Sequence, residues 1–176
     1  MQLIEALSDL CKTAPSIIAI DGPAGAGKTT LAGELKRSFS SKKVETVHLD
    51  DLYDGWSNPL NSDLALRVEN LIKSFKAGKD HLLDIYDWKL GAFKSQRLVH
   101  AEDILIIEGV GSGATALRPH YAALIWINID DATGLSRVLE RDGDSIAPEM
   151  KEWQIAQREH FEREKTRENA DFELTT

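Results

Sequence analysis

The sequence has little cysteine and no long apolar run. Only Cys11 among the 176 residues is a cysteine, so the chain can form neither an internal disulfide nor a zinc site built from cysteines. No apolar stretch approaches the ~20 residues of a membrane-spanning helix. The first ten residues also lack the basic and then apolar pattern of a secretory signal. These absences predict a cytoplasmic protein that has no membrane partner.

Basic residues are scarce relative to acidic ones. Lys and Arg number 21 against 29 Asp and Glu, which gives a formal net charge of −8 at pH 7. A general nucleic-acid-binding protein needs a basic face, so nucleic acid is not an expected partner. Small phosphate-containing ligands stay open, because backbone amides and one or two cations can bind them locally.

Apolar runs alternate with amphipathic stretches along the chain, which is typical of an α/β domain with a parallel sheet. The length fits one domain over residues 1–176. The predicted strands are 16–21, 44–49, 104–108, 123–129 and 172–174, and the predicted helices are 1–13, 29–39, 63–77, 131–141 and 148–170. Residues 50–61 are expected to form a loop, and 82–100 an irregular hairpin arm.

Residues 22–29, Gly-Pro-Ala-Gly-Ala-Gly-Lys-Thr, match the phosphate-binding pattern G-x-x-x-x-G-K-[ST] in full, between a predicted strand and a predicted helix. Glycines let backbone amides turn inward around phosphate oxygens, and the helix N-terminus adds a partial positive charge. Lys28 can reach the β- and γ-phosphates, and the Thr29 hydroxyl can bind Mg²⁺. The pattern therefore predicts a site for ATP and Mg²⁺. The predicted nucleotide-binding residues here are Gly22, Ala24, Gly25, Ala26, Gly27, Lys28, Thr29 and Thr30.

Such a loop serves GTPase switches, large ATPases and small-molecule kinases alike. GTPase switches usually carry an N-K-x-D motif, which is absent. Large ATPases append further domains, which we do not expect in a chain of this length. The favoured class is therefore a small-molecule kinase, and the rival is a regulatory nucleotide-binding module with little phosphotransfer.

Two acidic residues follow predicted strands. Asp50 comes after the second strand and Glu108 ends the third, so both are expected beyond the carboxyl ends of the sheet, where ligands bind. A carboxylate there can accept the proton of a substrate hydroxyl or hold Mg²⁺ through water. The alternatives are a turn cap for Asp50 and a solvated strand end for Glu108. Asp51 is expected to point elsewhere, because consecutive residues leaving a strand diverge.

Four segments together resemble the uridine kinase and phosphoribulokinase group of P-loop kinases, and look most like its compact bacterial uridine kinase-like members. They are G-P-A-G-A-G-K-T at 22–29, D-D-L-Y at 50–53, Y-D-W at 86–88 and I-I-E-G at 106–109. Their order and spacing extend over almost the whole chain. The resemblance implies a three-layer P-loop fold of the nucleoside and nucleotide kinase kind, with a five-stranded parallel sheet of strand order 2-3-1-4-5.

The resemblance also implies residue roles. Asp50 would be the catalytic base and Glu108 would lie in the Mg²⁺ shell with Thr29 and Asp50. The implied substrate-binding residues are Tyr53, Tyr86, Asp87 and Trp88, the last three on the arm 82–100 that covers the acceptor. Members that bind a pyrimidine carry a histidine shortly after the Y-D-F segment, whereas this chain has Gly91 near that place.

The family lid holds closely spaced arginines, for which this chain offers Arg137 and Arg141 beside a short lid at 141–148. They lie four residues apart on one predicted helix face. One or both would contact the ATP phosphates, Arg137 as a nucleotide-binding residue and Arg141 as a catalytic residue with Lys28 and Asp50. The alternative is a solvated helix face, and which arginine belongs to the lid stays open.

Four tryptophans suit the binding of a ring. Trp126 falls on a buried strand and Trp153 on an apolar helix stripe, so both are expected in the core. Trp56 and Trp88 fall in loop or arm segments, where contact with substrate and a purely structural position are equally expected. The sequence thus predicts a kinase that transfers the γ-phosphoryl group of ATP to a metabolite hydroxyl, with a nucleoside preferred. A sugar, a vitamin precursor or a nucleotide is the alternative acceptor. The oligomeric state is not predicted.

Overall fold

The computed structural model describes residues 2–176, so residue 1 of the first predicted helix lies outside the described residues. The helices are α1 (Gln2–Leu10), α2 (Lys28–Ser38), α3 (Ser62–Lys76), α4 (Asp131–Asp142) and α5 (Ala147–Glu164). The strands are β1 (Ser16–Asp21), β2 (Val44–His48), β3 (His81–Asp87), β4 (Ala92–Val99), β5 (Ile104–Glu108), β6 (Ala123–Asn128) and β7 (Phe172–Thr175). Short 3₁₀ helices occur at Leu49–Asp51, Arg118–His120, Asp144–Ile146 and Arg167–Asn169.

Five strands form one parallel sheet in the order β2-β5-β1-β6-β7. Numbered among themselves along the chain, these strands have the order 2-3-1-4-5, so the predicted fold is confirmed. The central strand β1 pairs with β5 on one side and β6 on the other. All residues of β1 and β5 are buried, as their continuous apolar runs predict for strands covered on both faces.

Helices cover both faces of this sheet, which gives three layers. Successive strand residues point to opposite faces, and Ile17 and Ile18 accordingly belong to two separate core clusters. The cluster with Ile17 includes Leu71 of α3, and the cluster with Ile18 includes Leu35 of α2. Both α2 and the phosphate-binding pattern before it are therefore held against the central strand.

The stretch predicted as an irregular hairpin forms a separate two-stranded antiparallel sheet of β3 and β4. The pairing register shifts between Ile85 and Tyr86, which is the irregularity in this arm. The Asp87 carboxylate accepts hydrogen bonds from the backbone amides of Lys89 and Leu90 at 2.9 and 3.0 Å, and so stabilises the turn.

No helix among residues 2–176 is long and apolar enough to cross a membrane.

The long last helix ends earlier than predicted, at Glu164 and not near residue 170. Lys165 adopts a left-handed backbone conformation with φ of 50°, which stops the helix. Distant groups hold this end: the Glu164 carboxylate accepts a hydrogen bond from the Thr115 amide at 2.9 Å, and Arg118 donates to the Glu164 carbonyl oxygen. Because these contacts come from residues far away in the sequence, the local sequence pattern of the helix does not predict where it ends.

Candidate active site

The phosphate loop, residues 22–27, connects β1 to α2, and the backbone of β6 and α4 packs closely against it. A Cβ atom on Gly22 would lie 2.3 Å from the Ile127 carbonyl oxygen, and one on Gly25 would lie 2.3 Å from that of Gly134. Both glycines also have positive φ, 141° and 80°, which L side chains rarely adopt. The strand β6 and the helix α4 therefore support the loop so closely that only glycine fits at these two positions.

Lys28 folds back on this loop. Its ammonium group donates to the carbonyl oxygens of Gly22 at 2.7 Å and Pro23 at 2.8 Å, and the residue is only 8% exposed. Burial lowers the pKa of Lys28, and the negative charge of Asp21 is the largest influence that opposes this shift. A buried ammonium that is bound only to neutral carbonyls is suited to bind phosphate oxygens.

Glu108 joins two other side chains of the site. It accepts a hydrogen bond from the Thr29 hydroxyl at 2.9 Å and contacts the His48 Nδ1 at 2.5 Å. His48 is the register partner of Glu108 in the neighbouring strand β2. The hydrogen bond to Glu108 raises the pKa of His48 and so favours a charged imidazole.

Asp50 lies in the 3₁₀ helix Leu49–Asp51, directly after β2. Its backbone carbonyl oxygen accepts a hydrogen bond from the Trp88 indole at 2.9 Å, while its side chain is exposed toward the cavity described below. The surrounding walls partly desolvate the carboxylate and raise its pKa, and the positive charge of Lys28 opposes this shift. Asp51 lines the same cavity, so the expected divergence is not observed, because the chain turns as a 3₁₀ helix here and is not extended.

The donor set around Thr29 fits Mg²⁺. Among residues 2–176 no group of three or more His, Cys, Asp or Glu side chains could hold a metal ion by itself. Mg²⁺ binds through one or two carboxylates together with waters and substrate phosphates, so it does not need such a group. The hard oxygen atoms of Thr29, Glu108 and Asp50 border one cavity beside the phosphate loop, which suits this ion.

One cavity of about 760 Å³ brings most of the predicted site residues together. The predicted residues that line it are Ala24, Gly25, Gly27, Lys28, Thr29, Thr30, Asp50, Tyr53, Trp88, Glu108, Arg137 and Arg141. The two loop residues Gly22 and Ala26 are buried and do not line it. Tyr86 and Asp87 do not line it either: Tyr86 packs against Trp88 with ring centroids 5.2 Å apart, and Asp87 stabilises the hairpin turn. Their contact with substrate stays a prediction.

Four aromatic side chains, Tyr53, Trp56, Trp88 and Trp153, pack together along one side of the cavity and form what we call the aromatic wall. Ring centroids are 4.9 Å apart for Tyr53 and Trp153, 6.1 Å for Trp153 and Trp56, and 4.9 Å for Trp56 and Trp88. The Tyr53 hydroxyl donates to the Val110 carbonyl oxygen at 2.8 Å, which holds the wall against the loop after β5. Trp153 is buried, as expected for a core residue, but it also lines the cavity.

The two candidate lid arginines make different contacts. Arg137 donates to the Gly25 carbonyl oxygen at 3.3 Å and to the Thr176 hydroxyl at 3.2 Å. Arg141 forms two hydrogen bonds to Asp142, of 2.8 and 2.7 Å, and is the first residue of the 141–148 segment. Both arginines line the cavity, and the choice between them stays a prediction.

Sequence reasoning missed two polar residues that hold the phosphate loop. Asp21 is fully buried, and its carboxylate accepts hydrogen bonds from the amides of Gly22, Gly111 and Gly113. The side-chain amide oxygen of Gln157, in α5, accepts a hydrogen bond from the Ala24 backbone amide at 3.0 Å. The sequence signal that could have identified them is a polar residue among apolar ones: Asp21 ends the apolar strand β1, and Gln157 lies within the buried stripe of α5.

Comparison with known proteins places the chain. A family model described as an AAA domain matches residues 18–169. The chain belongs to this family. It is 28% identical over 143 residues to uridine-cytidine kinase B of Dictyostelium discoideum. This alignment covers 73% of the chain and 58% of that enzyme, so the chain spans less than two thirds of the length of this relative. It is also 28% identical over 151 residues to a uridine kinase of Latilactobacillus sakei, which covers 76% of the chain and 70% of that enzyme.

Solved structures show the same fold. A possible uridine kinase from Bacillus stearothermophilus aligns with a TM-score of 0.68 and 24% identity, over 99% of the chain and 100% of that protein. D-glycerate 3-kinase from Cryptococcus neoformans aligns with a TM-score of 0.61 and 16% identity, over 93% of the chain and 86% of the enzyme. The P-loop kinase fold and the resemblance to the uridine kinase group are therefore confirmed.

Proposed function

We propose that this chain is an ATP-dependent kinase that transfers the γ-phosphoryl group of ATP to a hydroxyl group of a small metabolite of the nucleoside class. The observation that carries the proposal is that one cavity contains both parts of such a reaction site. The first part is the phosphate-binding pattern with Lys28 and Thr29, the second is Asp50 with the aromatic wall, and all of them line this cavity. A regulatory nucleotide-binding module has no use for the second part. The names of the curated relatives support the same class of reaction.

The phosphate-binding part of the site would bind and orient ATP. Lys28 would exchange its bonds to the loop carbonyl oxygens for bonds to the terminal phosphates, whose negative charge its ammonium offsets. Thr29 and Glu108, with Asp50 nearby, would hold Mg²⁺, which when bound draws charge away from the transferred phosphoryl group. Arg141 would contact the phosphates after release from Asp142, in the manner of a lid arginine.

Asp50 would act as the general base. Its carboxylate accepts the proton of the acceptor hydroxyl, the hydroxyl oxygen bonds to the γ-phosphorus, and the bond from that phosphorus to the bridging oxygen breaks as ADP leaves. The raised pKa of Asp50 makes it a stronger base than an ordinary aspartate. Most of the rate enhancement would come from positioning and charge neutralisation.

The test is ADP release by the purified protein with MgATP, alone and with separate pools of nucleosides, sugars and vitamin precursors. We expect one pool to stimulate ADP release, with formation of a phosphorylated acceptor visible by mass spectrometry. Slow ADP release that no pool changes would contradict the proposal and favour a regulatory module.

A further inference from the structure

His48 and Glu108 end two neighbouring strands side by side. The strands β2 and β5 are parallel, and each of these residues is the last of its strand and the register partner of the other. Ile106, two residues before Glu108 and therefore on the same face of the sheet, belongs to one core cluster with Leu35 of α2. Both side chains therefore leave the sheet on the face that α2 covers, and Thr29 lies in the first turn of that helix.

The two oxygen atoms of the Glu108 carboxylate have different surroundings. Oε1 accepts the hydrogen bond from the Thr29 hydroxyl at 2.9 Å and also contacts the His48 Nδ1 at 2.5 Å. Oε2 accepts no hydrogen bond from any group of residues 2–176, although it is not sealed from solvent. One oxygen is thus fixed by the protein, and the other stays available to a ligand in the cavity that Glu108 lines.

His48 holds this carboxylate from outside the cavity. Glu108 and Thr29 line the cavity, whereas His48 does not. The side chain of His48 is 37% exposed and that of Glu108 only 5%. The contact of His48 with the site therefore runs through Glu108, and the imidazole is not placed to bind a nucleotide or a metal ion itself.

The orientation of a carboxylate matters for a Mg²⁺ site. A glutamate side chain rotates about several bonds, and fixing them costs conformational entropy that is lower if partners already hold the group. Mg²⁺ demands near-octahedral geometry and uses few protein oxygens, so the placement of each one counts. Groups that hydrogen-bond to a metal ligand from behind orient it, and their loss typically weakens metal binding ~10–100-fold.

We infer that His48 is a positioning residue for the Mg²⁺ site, which holds Oε1 of Glu108 so that the carboxylate is fixed and Oε2 stays free for the cation. This inference rests on the Mg²⁺-dependent kinase reaction proposed above. His48 acts on the affinity for the metal through Glu108, and the affinity for a nucleotide without metal does not depend on it.

The test compares binding of the ATP analogue adenylyl imidodiphosphate in excess Mg²⁺ and in EDTA, by isothermal titration calorimetry. The ratio of the two dissociation constants reports how strongly the protein holds the metal, and no phosphoryl transfer takes place. We expect His48→Ala to reduce this ratio about tenfold, while the affinity in EDTA stays within about twofold. An unchanged ratio in His48→Ala, or a wild-type affinity that Mg²⁺ does not increase, would overturn the inference.

Three further variants separate positioning from a merely structural role. His48→Asn keeps an N–H donor at the place of Nδ1 and should restore most of the ratio, whereas His48→Leu keeps bulk without a donor and should behave like His48→Ala. His100→Ala is the matched control, because it removes a contact between an imidazole Nδ1 and the Asp80 carboxylate at 3.0 Å, and neither residue lines the cavity. An equal loss in His48→Asn and His48→Leu, or in His100→Ala, would overturn the inference.

The route through Glu108 is tested by a double substitution. In a Glu108→Ala background, where Thr29 and Asp50 remain to bind Mg²⁺, His48→Ala should reduce the ratio no further, because the carboxylate through which it acts is gone. A further loss there would show another route and would overturn the inference.

The binding measurements also separate this inference from the proposed function, because they need no acceptor. The expected ratios in a protein that phosphorylates no alcohol would support the role of His48 and count against the kinase. Phosphorylation of an acceptor together with an unchanged ratio in His48→Ala would leave a kinase in which His48 does not position Glu108.

Discussion

The Asp21 carboxylate accepts a hydrogen bond from the Gly113 amide at 2.7 Å, although the two residues are 92 positions apart in the sequence. The same carboxylate accepts from the amide of Gly22 at 2.8 Å and from that of Gly111 at 3.1 Å. One buried side chain therefore holds the first residue of the phosphate loop and the glycine-rich turn after β5. In the same glycine-rich turn, the Val110 carbonyl oxygen accepts a hydrogen bond from the Tyr53 hydroxyl of the aromatic wall.

Asp21 should make stability depend on pH. Burial raises its pKa from 3.8 to about 6. An aspartate with a raised pKa in the folded state binds its proton more tightly there, so its contribution to stability is largest below about pH 4 and declines as the pH rises to about 6. A shift of about two units corresponds to about 3 kcal/mol.

We therefore expect Asp21→Asn to destabilise the protein more near pH 4 than near pH 7, by about 2 kcal/mol in the difference between the two variants, because not all of the ~3 kcal/mol is reached at pH 4. The measurement is urea unfolding of both proteins across this range. Asp54→Asn, at an exposed loop position, is the control and should follow the wild type. A destabilisation by Asp21→Asn that is the same at both pH values would show that the carboxyl does not titrate in this range.

Lys28 should matter for turnover and little for the fold. Its ammonium donates to two carbonyl oxygens of the phosphate loop, so Lys28→Ala should abolish ADP release while the far-UV circular dichroism spectrum stays unchanged. Lys36→Ala on the exposed side of the same helix is the matched control and should keep full turnover. Full activity in Lys28→Ala, or its failure to fold, would contradict the assignment of the phosphate loop.

The parts of the fold that depend on local patterns could be predicted from the sequence. The buried strands appear as continuous apolar runs, and the phosphate-binding pattern is a single contiguous segment between a strand and a helix. Because carboxyl ends of parallel strands share one edge of the sheet, Asp50 and Glu108 could be placed near Lys28 from strand positions alone. The structure brings these three residues to one cavity.

The aromatic wall could not be predicted in the same way. Trp153 meets Tyr53 and Trp56 only because α5 crosses back over the sheet, about a hundred residues later in the chain. An apolar stripe on a helix predicts burial and does not distinguish a core residue from a cavity wall. Similarly, Gln157 lies in the buried stripe of α5, and only the folded chain shows that it accepts a hydrogen bond from the phosphate loop.

Uridine and cytidine should be poor acceptors compared with the true substrate. The pyrimidine-binding histidine of the resembling kinases has Gly91 near its place, and Gly91 offers no side chain to hydrogen-bond a base. Its amide is also used by the Asp87 carbonyl oxygen at 2.8 Å, within the hairpin turn. A site that lacks a hydrogen-bond partner for a polar ring loses affinity for it. Saturable phosphorylation of uridine with the highest kcat/KM in a panel of nucleosides and vitamin precursors would contradict this expectation.

Asp50→Asn should separate chemistry from binding. The change keeps the shape of the side chain and removes the base, and a base contributes only when an acceptor hydroxyl is present. We expect the affinity for ATP without Mg²⁺ to stay within about threefold, while phosphoryl transfer falls at least ~10²-fold. Isothermal titration and single-turnover transfer measure the two quantities.

Two comparisons sharpen this test at the end of β2. Asp54→Asn is the matched control and should leave transfer near the wild-type rate, because Asp54 is an exposed loop residue that does not line the cavity. Asp51→Asn should have an effect smaller than that of Asp50→Asn, since the charge of Asp50 acts directly on Lys28. A larger loss in Asp51→Asn would move the base by one residue along the 3₁₀ helix, and no loss in either variant would remove the general base from the proposed reaction.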